Sequence, residues 1–157
     1  MSKEEKTELT GEGMDSSKLA DLLWNPEKVD VKFPQVHVKT WGMETWIHND
    51  VESGYCMKTI LVYQDYWSSK GKFHYHKIKD ETFLVVDGML RLDVEVGGVI
   101  RQLHLGPWES YRVKPGMKHR FTAAGTSCKF IEASTTHKEE DSYRCYWDHI
   151  NQKWIDV

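Results

Sequence analysis

Three histidines and one glutamate occur at spacings that suit the binding of a metal ion. His74 and His76 are two residues apart, so both imidazoles would project from the same face of a β-strand. Glu81 follows a turn that contains lysines, and His119 follows a Pro-Gly turn. Imidazole and carboxylate ligands in this number can bind one divalent metal and leave coordination positions open for water or substrate.

Each of these four residues also has an ordinary structural interpretation. A His-x-His pair occurs on many exposed strands, a glutamate at the start of a strand is usually solvated, and a histidine after a turn often forms a local hydrogen bond. Here all four stand within apolar, strand-like segments. That arrangement favours one shared metal site over four unrelated residues.

The segments around these residues have the pattern of short β-strands separated by turns. Asp87-Gly88 and Pro115-Gly116 are two of the turn sequences. Proline at the second position and glycine at the third suit a type II turn, which would fix the direction of His119. The pattern predicts an all-β sandwich or barrel, with strands at residues 36–41, 44–48, 57–63, 82–86, 90–96, 99–105, 110–113, 119–123 and 129–133.

The two ends of the chain differ from this strand-rich centre. Residues 1–15 are polar and predict a mobile segment, and the residues that follow, up to Pro26, predict one short helix. We therefore expect a single domain over residues 16–157. The aromatic tail, residues 143–157, would pack on the outside of the barrel or against a partner. Because the strand at 82–86 is apolar on both faces, we also expect a homodimer.

Composition excludes several classes of protein. The chain has 157 residues, of which 29% are charged, and a formal net charge of −3, which argues against a nucleic-acid binder held by phosphate contacts. No apolar run approaches the roughly 20 residues of a membrane span, and the N-terminus lacks the apolar stretch of a signal peptide. We expect a cytoplasmic protein that binds a small molecule. Cys56, Cys128 and Cys145 have no paired spacing, which predicts reduced, buried thiols.

The spacing of the candidate ligands resembles the first motif of the cupin superfamily. The pair His74-x-His76 is followed after four residues by Glu81, and after six more by Gly88. The second cupin motif supplies one further histidine, which corresponds to His119. The resemblance implies an antiparallel β-barrel of the double-stranded β-helix or jelly-roll type. It also implies that the three histidines and Glu81 hold one divalent transition metal, namely Mn, Fe, Ni or Zn.

The resemblance covers residues 36–136, the expected barrel core, and departs from the family pattern at three places. Ser68 stands where the family has a glycine, Pro115 and Gly116 are adjacent rather than separated by one residue, and Ala123 replaces an asparagine. None of these departures removes a candidate metal ligand.

Further segments are similar to sugar-handling cupins. Residues 39–47, with the sequence KTWGMETWI, resemble the first strand of the mannose-6-phosphate-isomerase-like cupins. Residues 130–137 and 141–144 resemble the last strand and an acidic-Arg segment of sugar-handling cupins, including the cupin-type D-lyxose isomerases. This resemblance implies a metal-dependent isomerase or epimerase that acts on a carbohydrate, either a sugar or a sugar phosphate.

Four more residues are candidates for catalysis or substrate binding. Glu132 is the first candidate for the base that moves a proton between neighbouring carbons, and His137 is the second. Lys58 shares a strand face with apolar residues, so it either reaches the barrel mouth or faces the cavity. In a cavity, Lys58 and Arg144 would hold negative charge on a substrate or an enediolate. The ordinary alternative for Glu132 is a strand carboxylate paired with a lysine.

Two other functions fit the same ligand set. A dioxygenase would use iron, manganese or nickel in a dry, apolar pocket. A non-catalytic module would bind metal and sugar without turnover, since the fold alone does not decide function.

Overall fold

The computed structural model describes residues 33–157, which form an antiparallel β-structure. Its strands are β1 (Gln35–Lys39), β2 (Gly42–Asp50), β3 (Tyr55–Tyr63), β4 (Phe73–Tyr75), β5 (Glu81–Val96), β6 (Val99–Leu105), β7 (Ser110–Val113), β8 (His119–Thr135), β9 (Tyr143–Asp148) and β10 (Lys153–Asp156). Short turns of 3-10 type lie at Ser68–Gly71 and Glu139–Asp141. The helix expected before Pro26 and the mobile segment at 1–15 lie outside the described residues.

The long strand β8 connects the parts of the fold. The strands follow the order β1-β2-β3-β8-β4-β9-β10, and β5 pairs with β6, β7 and β8. In these registers His119 lies opposite His74 of β4, and Glu132 lies opposite Lys58 of β3. The strand pairing therefore brings together residues that are far apart in the sequence.

Alternating side chains build the core. In β3, every second residue from Cys56 to Val62 is buried, as expected for a strand with one face toward the core. A cluster of three phenylalanines, Phe83, Phe121 and Phe130, lies at the centre with ring centroids 5.1–5.9 Å apart. The other core residues are Trp41, Ile60, Val62, Val85, Leu90, Leu92, Val94, Val113, Ala123 and Cys128.

The predicted turn at Asp87-Gly88 is wrong, because β5 continues through it with irregular register on both sides. Gly88 has a φ of 77°, and a Cβ atom there would lie 2.3 Å from the carbonyl oxygen of Ser127. The glycine thus permits a close approach of β5 to β8 rather than a chain reversal. The strands predicted at 82–86 and 90–96 are one strand.

The predicted type II turn before His119 is confirmed. The Met117 N–H donates to the Lys114 carbonyl at 3.1 Å, and Gly116 has a φ of 82°. The Gly116 N–H also donates to the carbonyl of His76 at 2.6 Å. This hydrogen bond connects the segment that carries His119 to the segment that carries His76.

The aromatic tail, which was expected to pack on the outside of the barrel or against a partner, is part of the sheet. β9 pairs with β4 and β10 pairs with β9. Cys56, Cys128 and Cys145 are buried free thiols, as predicted. Among residues 33–157, no helix is long and apolar enough to cross a membrane.

Candidate metal centre and the adjoining cavity

Three imidazoles converge at one end of the fold. His74 lies in β4, His76 follows it directly, and His119 opens β8. One candidate ligand atom from each lies within 4.8 Å of the others, and the ring centroids of His74 and His119 are 4.1 Å apart. The cross-strand pairing of β4 with β8 therefore produces the cluster.

Hydrogen bonds to carbonyl groups fix how two of these imidazoles are protonated. His76 Nδ1 lies 2.6 Å from the Asp141 carbonyl oxygen, and His119 Nδ1 lies 3.0 Å from the carbonyl oxygen of Met117. A carbonyl oxygen only accepts, so each Nδ1 carries the proton and each neutral ring has a free lone pair on Nε2. Metal-binding histidines in proteins are held in this way.

Glu81 faces these lone pairs. Its Oε1 lies 2.9 Å from His119 Nε2 and 3.7 Å from His76 Nε2. The closer contact is not aligned as a hydrogen bond, and neither atom of that pair has another hydrogen-bond partner among residues 33–157. If the His119 ring is neutral, these atoms are two buried acceptors that face each other, and a cation bound by both would satisfy them. The donor set therefore fits a divalent metal ion.

The protonation states of the cluster also suit metal binding. Burial lowers the pKa of His74 well below its usual value, with a further contribution from His119 and His76. Burial likewise lowers the pKa of His76. Burial alone would raise the pKa of Glu81, but the ammonium group of Lys79, together with His119 and His76, outweighs it and holds this pKa well below the usual range. At neutral pH, His74 and His76 are neutral and Glu81 is ionised.

A cavity of about 640 Å³ adjoins the cluster. Its lining includes Ser69, whose hydroxyl lies 3.4 Å from His74 Nδ1, and His137, whose ring centroid is 6.4 Å from that of His76. Trp41, Glu44 and several charged side chains complete the wall. This volume is within the range of sites that bind small molecules.

Comparison with solved structures identifies the fold of this chain. The capsular polysaccharide assembling protein CapF from Staphylococcus aureus superposes with a TM-score of 0.61 at 18% identity, over 75% of this chain and 33% of CapF. KdgF from Halomonas sp. matches with a TM-score of 0.56 at 15% identity, over 71% of this chain and 94% of KdgF. Oxalate decarboxylase from Bacillus subtilis matches with a TM-score of 0.61 at 12% identity, over 71% of this chain and 30% of that one. The chain has the cupin fold.

The present chain thus spans about a third of the length of CapF and of oxalate decarboxylase. No protein-family model matches the sequence, and a search of curated proteins finds no match. At such low identities the structural matches establish the fold alone.

Behind Glu81 the cupin barrel contains a buried network of alternating charges. Lys79 Nζ lies 2.6 Å from Glu81 Oε2 and 2.5 Å from Glu132 Oε1. Lys58 Nζ lies 3.7 Å from the same oxygen of Glu132 and 3.7 Å from Glu44 Oε2. Lys58 therefore pairs with carboxylates in the interior and stacks over the ring of Trp46 at 4.3 Å, so its charge is largely neutralised inside the protein.

Lys79 was not among the site residues predicted from the sequence. Burial would lower the pKa of Lys79, but Glu132 and Glu81 raise it, so this lysine is charged. With one oxygen of Glu81 held by Lys79, only Oε1 faces the histidines. A lysine in a turn is usually solvated, and nothing in the local pattern distinguishes this one.

Asp141 is a second residue whose role was missed. Its carboxylate accepts hydrogen bonds from the N–H groups of Lys77, Ile78 and Lys79 at 2.8–3.1 Å. Its carbonyl accepts the bond from His76 described above. Asp141 therefore fixes both His76 and the loop that leads to Glu81.

The other predicted site residues lie at two depths. His137 and Arg144 line the cavity, and His137 Nε2 lies 3.3 Å from Glu139 Oε1. Glu132 is buried, with 5% of its surface exposed, and contacts Lys79 and Lys58. The structure thus brings Glu132 and Lys58 together in the interior, and His137 and Arg144 together at the cavity wall.

Proposed function

We propose that this cupin is a metal-dependent isomerase or epimerase of a small carbohydrate. His74, His76, His119 and Glu81 would hold one divalent transition metal. The observation that carries the proposal is the buried contact of Glu81 Oε1 with His119 Nε2, two atoms without a hydrogen-bond partner among residues 33–157 that a bound cation would satisfy. Nitrogen and carboxylate donors of this kind accept Mn, Fe, Ni and Zn.

A divalent ion at this position would polarise a substrate carbonyl and stabilise negative charge that develops on its oxygen. The chain itself would supply the base. We favour His137 over Glu132, because His137 lines the cavity with Nε2 beside the Glu139 carboxylate. As a neutral imidazole at the cavity wall, His137 would accept a proton from a substrate carbon.

The pKa of His137 agrees with that role. Burial lowers it, and the charges of Lys58 and Lys79 add to the effect. His137 is therefore neutral at pH 7 and able to accept a proton. Glu132, the other candidate, has a lowered pKa because Lys79 and Lys58 outweigh the effect of burial, and it is held in the interior.

The charged residues in the cavity wall favour carbohydrate chemistry over oxygen chemistry. Glu44, His137, Glu139 and Arg144 all contribute to its wall. Oxygen-activating sites are better served by an apolar pocket that excludes water. A cytoplasmic location and a homodimeric state stay predictions.

The test uses protein stripped with a chelator and reloaded separately with Mn, Fe, Ni or Zn. A panel of sugars and sugar phosphates in deuterated water is followed by NMR. We expect deuterium to enter at the carbon next to the carbonyl in the presence of one or more metals, and exchange to be lost in His137→Ala. Turnover by metal-free protein would contradict the proposal. Oxygen uptake without exchange would favour the dioxygenase, and metal binding without turnover would favour a binding module.

A further inference from the structure

Four cationic side chains line the cavity beside the histidine cluster. Lys39 comes from β1, Lys70 and Lys72 come from the turn before β4, and Arg144 comes from β9. The whole chain has a formal net charge of −3, so this concentration of positive charge is a local feature. Three separate parts of the fold contribute to it.

The two acidic residues of the cavity, Glu44 and Glu139, are outnumbered by these four cations, and each has a polar neighbour. Glu44 Oε2 accepts a hydrogen bond from Trp46 Nε1 at 2.8 Å and lies 3.7 Å from Lys58. Glu139 lies beside His137. By contrast, within residues 33–157 no ion pair of 4.0 Å or less involves any of the four cavity cations. The cavity therefore has an excess of positive charge.

The basic side of the cavity lies next to the histidine cluster. Lys70 and Lys72 belong to the same short segment as Ser69, whose hydroxyl lies 3.4 Å from His74 Nδ1. Arg144 lies directly opposite His74 in the pairing of β9 with β4. A ligand anchored by these cations would thus extend toward the histidines.

We infer that the cavity binds a small molecule through an anionic group, either a phosphate monoester or a carboxylate. The inference deepens the proposed function and rests on it, since it narrows the substrate class of the same site. Lysine supplies a point charge for such a group, and the planar guanidinium of Arg144 can donate two parallel hydrogen bonds to it. The concave arrangement of these cations around one cavity strengthens that attraction.

The test measures binding of inorganic phosphate and of acetate to the as-purified protein by NMR of backbone amides, with the metal content of the same sample determined. The variant Lys70→Gln/Arg144→Gln removes two cavity charges. The matched control Lys114→Gln/Lys153→Gln removes two exposed charges outside the cavity. We expect one of the probes to shift amides of residues 68–72 and 144. The preferred probe indicates whether the natural group is a phosphate or a carboxylate.

In the cavity variant we expect binding to weaken about tenfold or more, whereas the control variant changes it about twofold or less. Raising the salt concentration should weaken binding to the unmodified protein, which gives a second measurement if the cavity variant fails to fold. The absence of shifts at residues 68–72, or equal losses in both variants, would overturn the inference. Anion binding by a protein that takes up no metal would instead refute only the proposed function.

Discussion

Replacing Lys79 with methionine tests the buried charge network directly. Lys79 bridges Glu81 and Glu132, and the three side chains are 3%, 2% and 6% exposed. Methionine fills a similar volume but leaves two buried carboxylates without their shared cation. Breaking a buried ion pair by removing one partner costs about 3–5 kcal/mol. We expect a loss near the upper end in metal-free protein, because two carboxylates lose their partner at once.

The pH dependence of this loss follows from the lowered pKa values of Glu81 and Glu132. A carboxyl group with a lowered pKa in the folded state stabilises the protein above its unfolded pKa, about 4.3, and this contribution disappears as the pH falls through the folded value. In Lys79→Met both pKa values should rise, so the two carboxyl groups can take up protons in the folded state. The difference in stability from the unmodified protein should therefore shrink as the pH falls from 7 toward 4.

The assay is urea unfolding of chelator-treated protein at pH 7 and pH 5, analysed by linear extrapolation. Lys114→Met, at an exposed position, serves as the control and should change the free energy of unfolding by about 0.5 kcal/mol or less. The double variant Lys79→Met/Glu132→Gln should recover part of the loss. A loss of less than about 1 kcal/mol for Lys79→Met at pH 7 would show that Lys79 does not stabilise the two buried carboxylates, because removing one partner of a buried ion pair costs several times more.

Three further predictions concern the loop at residues 77–79, the close approach of β5 to β8 at Gly88, and the oligomeric state. Asp141→Asn should cost about 1–3 kcal/mol at pH 7, because three N–H donors lose a charged acceptor. Burial alone would raise the pKa of Asp141, but these donors hold it below its usual value. The cost should therefore begin to shrink below about pH 4, near the unfolded pKa, and vanish only below the pKa of the folded carboxyl group, as urea unfolding across pH would check. Gly88→Ala should lower stability by more than Gly98→Ala, since both have positive φ (77° and 81°) but only Gly88 meets a backbone oxygen, and thermal unfolding compares them. Light scattering should give a dimeric mass, and a monomeric mass at all concentrations would contradict the predicted homodimer.

Periodicity was sufficient to predict much of the fold. Alternation of apolar residues located β3 and placed Lys58 on the same face as Ile60 and Val62, a face that is buried in the structure. The Pro115-Gly116 turn was predicted because proline and glycine impose backbone angles locally. The prediction of a turn at Asp87-Gly88 was wrong because the same residue type serves two purposes. A glycine is required both for a turn and for a close approach between strands, and only the neighbouring strand distinguishes the two.

The candidate site was partly predictable for a related reason. His74, His76, Glu81 and His119 have a recognisable spacing, because a strand fixes the direction of its side chains. Asp141 acts from a distant segment of the chain, through three backbone N–H groups and one carbonyl. No local pattern reveals such long-range contacts.

The metal content of two single-residue variants tests directly whether the histidine cluster binds a metal ion. His76→Ala removes one member of the histidine cluster, and His104→Ala removes an exposed histidine of β6 outside it. Each protein is stripped, reloaded with one divalent metal at a time and dialysed, and the bound metal is measured by mass spectrometry. We expect about one tightly bound ion per chain in the unmodified protein and in His104→Ala, and a large loss in His76→Ala. Equal metal content in the two variants would contradict this expectation.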